Sequence, residues 1–216
     1  MLVPRICMRA SFENDRAHVD CVMKKIILAS QSPWRKDILS KTGIPFSVEE
    51  SGYEEDMSLK IPPRELAKRL ALGKAEMVAT RRPDALVIAA DTFVVFGKYI
   101  IGKPHSPKRA REVLTMLSGK WHTIITGFAV IDGGSGKRVV RSVETRVHLR
   151  KADAKEIAAY VKTGEPLKVA GGYAIQGRAG ALIDKIEGDY WNIVGLPLSA
   201  IVLELKKFGI RIGSGS

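Results

Sequence analysis

The sequence predicts a mixed α/β fold, and three observations carry that expectation. Short apolar runs of strand length alternate with stretches whose apolar residues recur at helical spacing. Two long β-type segments, HTIITGFAVID and KRVVRSVETRVHLR, are joined by GGSG, which reads as an antiparallel hairpin and argues against a purely parallel sheet. With 216 residues, 45% hydrophobic and 27% charged, the chain can bury an ample core in one large domain or two small ones. The two lobes of such a fold leave a cleft between them, the expected place for a ligand.

Lys25–Ala29 reads as a buried strand and Trp34–Thr42 as a helix ended by Gly43. PFSVEES is a short second strand. The clearest helix is PPRELAKRLALGKAEMVATRRP, which opens on two prolines and closes at Pro83. ALVIAADTFVVF follows as a strand, and SPKRAREVLTMLSG as a capped helix with a glycine stop. After the hairpin come a helix over Asp153–Lys162, a strand region in AGALIDKIEG and a final amphipathic helix in PLSAIVLELKKF. AGGYAIQGRAG and GDYWNIVGLP read as loops, the aromatics of the second taking a packing role.

The formal net charge of +12 favours an anionic partner, such as nucleic acid, a nucleotide or an acidic membrane, or else a basic surface that aids solubility. Cys7 and Cys21 are the only cysteines, so the rest of the chain builds neither a disulfide framework nor a thiolate zinc site. The four histidines show no metal-ligand spacing, which leaves a hard cation held by carboxylates and phosphate oxygens. No apolar run approaches the ~20 residues of a membrane span. Residues 1–22 are expected to be a leader without the apolar core of a signal peptide, with the natural start at Met23. A domain over 23–209, a flexible tail over 210–216 and a cytoplasmic location complete that expectation.

Several residues suit chemistry. SQSPWR lies where a strand gives way to a helix, a place that offers backbone donors to an anion. Ser30 and Ser32 add donors there and Arg35 adds a charged fork, although a capped helix start with an exposed arginine fits the six residues equally. Asp91 interrupts an apolar strand, which requires it to be paired, metal-bound or at the strand's open end. Lys103, between Gly102 and Pro104, is an aimed ammonium or a solvated turn residue. Glu54, Glu55 and Asp56 attract a divalent cation or form a polar loop, and Lys74 sits in a helix where lysines commonly face water. Gln176 offers a donor and an acceptor in one amide, the chemistry that reads a base edge.

The order of LASQSPWRKDIL, EE, RLALGKA, AADT, IGKP, LSGKWHTIITG, YAIQG and GDYWNIVGLPL resembles the Maf family of nucleoside triphosphate pyrophosphatases, from Lys25 to about Phe208. The resemblance implies a two-lobed fold like that of the inosine triphosphate pyrophosphatases. It also implies cleavage of a nucleoside triphosphate between its α and β phosphates, in a house-cleaning role linked in older descriptions to septum formation. On matching positions, Asp91 corresponds to the family's catalytic acid/base and Glu55 to the second acidic residue that helps hold Mg²⁺ or Mn²⁺. Lys74 and Lys103 correspond to the family lysines, and Ser30, Ser32 and Arg35 to its phosphate-binding turn.

At the specificity positions the resemblance is divided. Members that cleave dTTP and UTP resemble SPRR, whereas Trp34 here resembles the branch acting on 7-methyl-GTP, where an aromatic ring attracts a cationic base. Thr92 and Gln176 resemble the pyrimidine branch. The sequence therefore predicts a dTTP/UTP pyrophosphatase, with 7-methyl-GTP as the alternative substrate and a nucleic-acid-binding or division-regulating protein as the alternative of another class. Nucleic acid is disfavoured because no binding motif is present. A homodimer is admitted, and no membrane partner is expected.

Overall fold

The computed structural model describes residues 24–212. The expected leader, the start at Met23, both cysteines and residues 213–216 lie outside the described residues. Strand β1 (Lys25–Leu28) runs parallel to β2 (Ser47–Val48) and to the long β3 (Ala85–Phe96). β3 pairs antiparallel with β5 (Trp121–Asp132), β5 with β6 (Arg138–Leu149) and β6 with β7 (Ile183–Glu187), while β4 (Tyr99–Ile101) folds back on β3. The result is a seven-stranded mixed sheet in the order β2-β1-β3-β5-β6-β7, the mixed α/β architecture that the alternating pattern predicts.

The neighbours of β3 leave a gap. β5 occupies one edge of β3 from Leu86 to Val95. On the other edge β1 covers Ala85–Ile88 and β4 covers Val94–Phe96. Residues 89–93, which include Asp91 and Thr92, have no strand beside them there.

Alternate residues of a strand face opposite ways, so Asp91 and Thr92 serve different layers. Val87, Ala89 and Phe93, on the side of Asp91, pack against the helix α2 (Pro63–Arg81). The helix sits close to the sheet because Gly127, opposite Asp91, has no side chain: a Cβ there would lie 2.0 Å from the Ala67 carbonyl oxygen.

On the other face Leu86, Ile88 and Ala90 join a core with α1 (Pro33–Ser40) and α6 (Leu198–Leu205). Val94 belongs instead to a core built around α3 (Pro107–Leu117) and α4 (Ala154–Lys162). Between these two cores lies a polar seam of Thr92, Thr126, Thr145 and Asn192, the last three fully buried. Asn192 donates to the Ile124 carbonyl and to Thr145 Oγ1. The seam divides this face of the sheet into two lobes.

Some elements differ from expectation. PFSVEES yields strand only at Ser47–Val48, and AGALIDKIEG opens with a 3₁₀ segment, Arg178–Leu182, before β7. GDYWNIVGLP is not all loop: Asp189 accepts from the Trp191 and Asn192 amides and so caps a short helix, α5 (Tyr190–Val194). β4 escapes a reading by apolar runs because it is three residues long. The core extends to Ile210, which is buried. Among the described residues no helix is long and apolar enough to cross a membrane.

His122 of β5 is buried, and its Nε2 lies 2.6 Å from the Tyr173 hydroxyl, tying the glycine-rich stretch to the sheet. Burial pulls its pKa down from 6.5 to about 4. The unfolded chain takes up that proton near its ordinary pKa while the folded chain resists it. Stability from this group is therefore intact above about pH 6.5, falls as the pH drops and is lost near pH 4. Over that window the wild type should lose roughly 3 kcal/mol more than a His122→Gln variant, measured by denaturant unfolding. Parallel pH profiles would refute the assignment.

Candidate functional site

A cleft of about 950 Å³ opens at the unpaired interval of β3 and extends toward the α3–α4 lobe. An ionic cluster borders it, with Glu55 and Lys74 in its lining and Asp91 behind them. Lys74 lies on the buried face of α2 among Leu70, Ala71, Ala75 and Val78, where burial of a lone ammonium is costly. Its Nζ is 2.5 Å from Asp91 Oδ1 and 2.5 Å from Glu55 Oε1. Asp91 is 6% exposed and Lys74 8%. This is not a lysine on a wet face, nor an aspartate capping the turn after its strand. Lys74 and Asp91 form a buried pair, which the exposed Glu55 caps from the solvent side, and removing one member of such a pair typically costs about 3–5 kcal/mol.

The acidic run does not converge. Only Glu55 of the three reaches Lys74, while Asp56 accepts from the Ser58 amide and hydroxyl and closes its own turn. Among the described residues no group of three or more acidic, histidine or cysteine side chains is arranged for a metal. Glu55 is brought to Lys74 by the loop before α2, whose Tyr53 ring lies over Gly73. A Cβ at Gly73 would fall 2.4 Å from that ring.

The SQSPWR turn holds Arg35. Ser32 caps α1 and Pro33 begins it. The Arg35 Nε donates to the Gly195 carbonyl at 2.8 Å, Nη1 to Ser30 Oγ at 3.3 Å and Nη2 to Thr92 Oγ1 at 3.1 Å. Thr126 Oγ1 gives its hydrogen to the Asn192 carbonyl, so Thr92 donates to Thr126. Arg35 is thus anchored to the polar seam, with two of its five N–H donors left for a ligand. Burial lowers its pKa, and the carboxylates of Asp91 and Glu55 act the other way. Pro33 has no N–H and the Arg35 amide is taken by Ser32, so anion binding here rests more on side chains than on backbone donors.

Lys103 lines the cleft from the loop after β4, and the Gly102 carbonyl accepts from the Gly171 amide at 3.0 Å. Trp34, 38% exposed, stands on the wall of the cleft. Gln176 lines it from the turn 174–177, which the Gly177 amide closes onto the Ala174 carbonyl. The Gln176 Oε1 is buried and has no hydrogen-bond partner. An orphaned acceptor in a cleft is a demand for a donor from a ligand.

All ten residues singled out from the sequence therefore belong to one region, but Thr92 meets Arg35 with its hydroxyl instead of presenting it freely, and Asp91 sits behind Lys74. Sequence reading missed Thr126 and Asn192, whose roles appear only once strand register is known. It also missed Glu165, Lys168 and Arg178, which line the cleft from stretches without a distinctive pattern.

The family model described as Maf-like protein matches residues 25–208. A dTTP/UTP pyrophosphatase of Moorella thermoacetica is 44% identical over 190 residues, covering 88% of this chain and 98% of that protein. One of Pelotomaculum thermopropionicum is 45% identical over 190 residues, covering 88% and 100%. Among solved structures, a HAM1 protein from Coxiella burnetii aligns with a TM-score of 0.49 and 16% identity, covering 86% of this chain and all of that one.

The Tyr53–Gly73 contact makes a test of sign. Gly→Ala inside a helix ordinarily stabilises by about 0.5–1 kcal/mol. Here Gly73→Ala should lower the melting temperature, because the ring that carries Glu55 inward is displaced. In a Tyr53→Ala background the same substitution should raise it. A stabilising Gly73→Ala in the otherwise wild-type chain would contradict the packing.

Proposed function

The chain belongs to the Maf-like protein family, and from that premise we propose that it is a nucleoside triphosphate pyrophosphatase acting on dTTP and UTP. The observation that carries this reading is a convergence at the break in β3. A buried ammonium held by two carboxylates, an anchored guanidinium and an unpartnered amide carbonyl share one cleft. The identity to relatives named dTTP/UTP pyrophosphatase supports the substrate class.

In this reading the triphosphate lies between Arg35, Lys74 and Lys103, whose charges offset the charge that develops as the bond between the α and β phosphates breaks. Ser30 and Ser32 orient it through their hydroxyl hydrogens. Water adds to phosphorus, its proton passes to Asp91, and the nucleoside monophosphate and pyrophosphate separate. Asp91 Oδ1 is held by Lys74, which leaves Oδ2 as the accepting atom.

The expected Mg²⁺ or Mn²⁺ fits the residues present. Glu55 and Asp91 each give one oxygen to the Lys74 ammonium, and the hard-donor lone pairs they have left are those that would hold the cation beside it. Two carboxylates make a partial shell that phosphate oxygens would complete. Bound there, the cation would polarise a phosphoryl oxygen and acidify water.

Base choice falls to Gln176. Uracil and thymine present an N3–H donor beside a carbonyl, which complements the Oε1 acceptor and the Nε2 donor of the amide. The 7-methylguanine edge repeats that donor and carbonyl as N1–H and O6 but adds a second donor, the N2 amine, and a positive charge, which suit a carboxylate better and leave the amine unpaired against an amide. Leaving buried polar groups unpaired outweighs a stacking gain from Trp34 of ~1–3 kcal/mol. We place the enzyme in the cytoplasm, where nucleoside triphosphates are made.

Pyrophosphate release should be faster with dTTP and UTP than with 7-methyl-GTP at equal concentration. Asp91→Asn, still folded by circular dichroism, should lose about 100-fold or more. Faster turnover of 7-methyl-GTP would overturn the substrate, and near-normal turnover by Asp91→Asn would overturn the proton acceptor.

A further inference from the structure

Gln176 lines the cleft and its Oε1 has no partner within the protein, yet the turn that carries it is pinned at both feet. At the first foot the Ala174 amide donates to the Tyr160 hydroxyl at 3.2 Å. At the second the Arg178 amide donates to Glu165 Oε2 at 3.2 Å. The two anchors are themselves joined, because the Tyr160 hydroxyl donates to Glu165 Oε1 at 2.7 Å. Gly177 lies so close that a Cβ there would fall 2.6 Å from each Glu165 oxygen, so its bare Cα is seated against the carboxylate.

We infer that Tyr160 and Glu165 are specificity-determining positioning residues, a clamp that fixes the Gln176 amide and thereby sets which nucleobase the cleft accepts. The inference rests on the reading of Gln176 given above. Its physical basis is the geometry of hydrogen-bond discrimination. An amide at the tip of a four-residue turn selects a base edge only while its two polar atoms stay within reach of a fixed pattern. The turn is closed internally by one bond, Gly177 N to Ala174 O, and its flanks are held by the Tyr173 hydroxyl on His122 and by the Gly180 amide on the Gly177 carbonyl; the clamp is what ties the two feet to each other.

The clamp's donors and acceptors are unambiguous. Burial and the neighbouring Glu165 push the Tyr160 phenol pKa up, so the hydroxyl keeps its proton and donates it. It then has a lone pair left to accept from Ala174. Tyr160 extends from α4 into the core of its lobe and does not line the cleft. Any effect of Tyr160 on base choice must therefore act through the turn.

Tyr160→Phe removes the first foot and leaves the aromatic packing. Glu165→Gln keeps an acceptor for Tyr160 but turns an amide NH₂, a donor, toward the Arg178 N–H at the second foot. For each variant, kcat and KM are measured with UTP and with 7-methyl-GTP, alongside Gln176→Ala. Each clamp variant should reduce the UTP to 7-methyl-GTP ratio of kcat/KM by about tenfold, chiefly through a higher KM for UTP. In the Gln176→Ala background, Tyr160→Phe should leave that ratio unchanged. If the wild type shows no preference for UTP, or Gln176→Ala keeps it, the base reading itself fails. If Gln176→Ala abolishes the preference while both clamp variants preserve it, or lower both substrates equally, the clamp is overturned.

Discussion

An ammonium carried on the apolar face of a helix has to meet a carboxylate inside the protein, and much of this structure follows from that demand. Lys74 faces the sheet, so Asp91 must stand in the middle of an otherwise apolar strand to receive it. Glu55 supplies a second carboxylate from a loop held down by Tyr53 on Gly73. The absence of a side chain at Gly127 lets α2 approach closely enough for the contact. A fully buried cluster of this kind would be no more than a structural expense. It becomes useful because β3 lacks a neighbour at this point, and Lys74 and Glu55 lie at the edge of a cleft with Asp91 behind them.

The same gap joins two layers that a continuous sheet would keep apart. Asp91 serves the α2 side and Thr92 the opposite side, where Arg35 is tied to the seam through Thr92 and the Gly195 carbonyl. The seam also separates the two hydrophobic cores of that face. Anchoring of the guanidinium and division into lobes thus have one origin: buried threonines that satisfy one another and the α5 backbone. The α3–α4 lobe adds the turn bearing Gln176, so phosphate-directed cations and base-directed amide come from different parts of the fold.

The sequence made much of this legible because apolar periodicity and helix caps are local. The long helix α2, the β5–β6 hairpin and the strand containing Asp91 all follow from patterns within a dozen or so residues. The ten candidate residues could also be picked out from the sequence, since their motifs occur in a fixed order. Their relations were not. That Lys74 faces inward depends on which side of α2 meets the sheet, and α2 is apolar around much of its circumference. That Thr92 opposes Thr126 depends on register between strands more than thirty residues apart. The α5 helix was hidden because its five residues are too short for a period, and only the cap at Asp189 announces it. The clamp of Tyr160 and Glu165 joins residues of α4 and a 3₁₀ turn to a distant loop, and no spacing rule marks it.

The account stands on the placement of a nucleotide along this cleft. A crystal structure with α,β-imido-UTP, which resists cleavage at the reacting bond, tests that placement most directly. The phosphate chain should lie against Arg35 and the Lys74–Asp91–Glu55 cluster, with the uracil hydrogen-bonded to the Gln176 amide. A triphosphate bound away from the break in β3, or a uracil stacked on Trp34 with Gln176 still unpartnered, would contradict it.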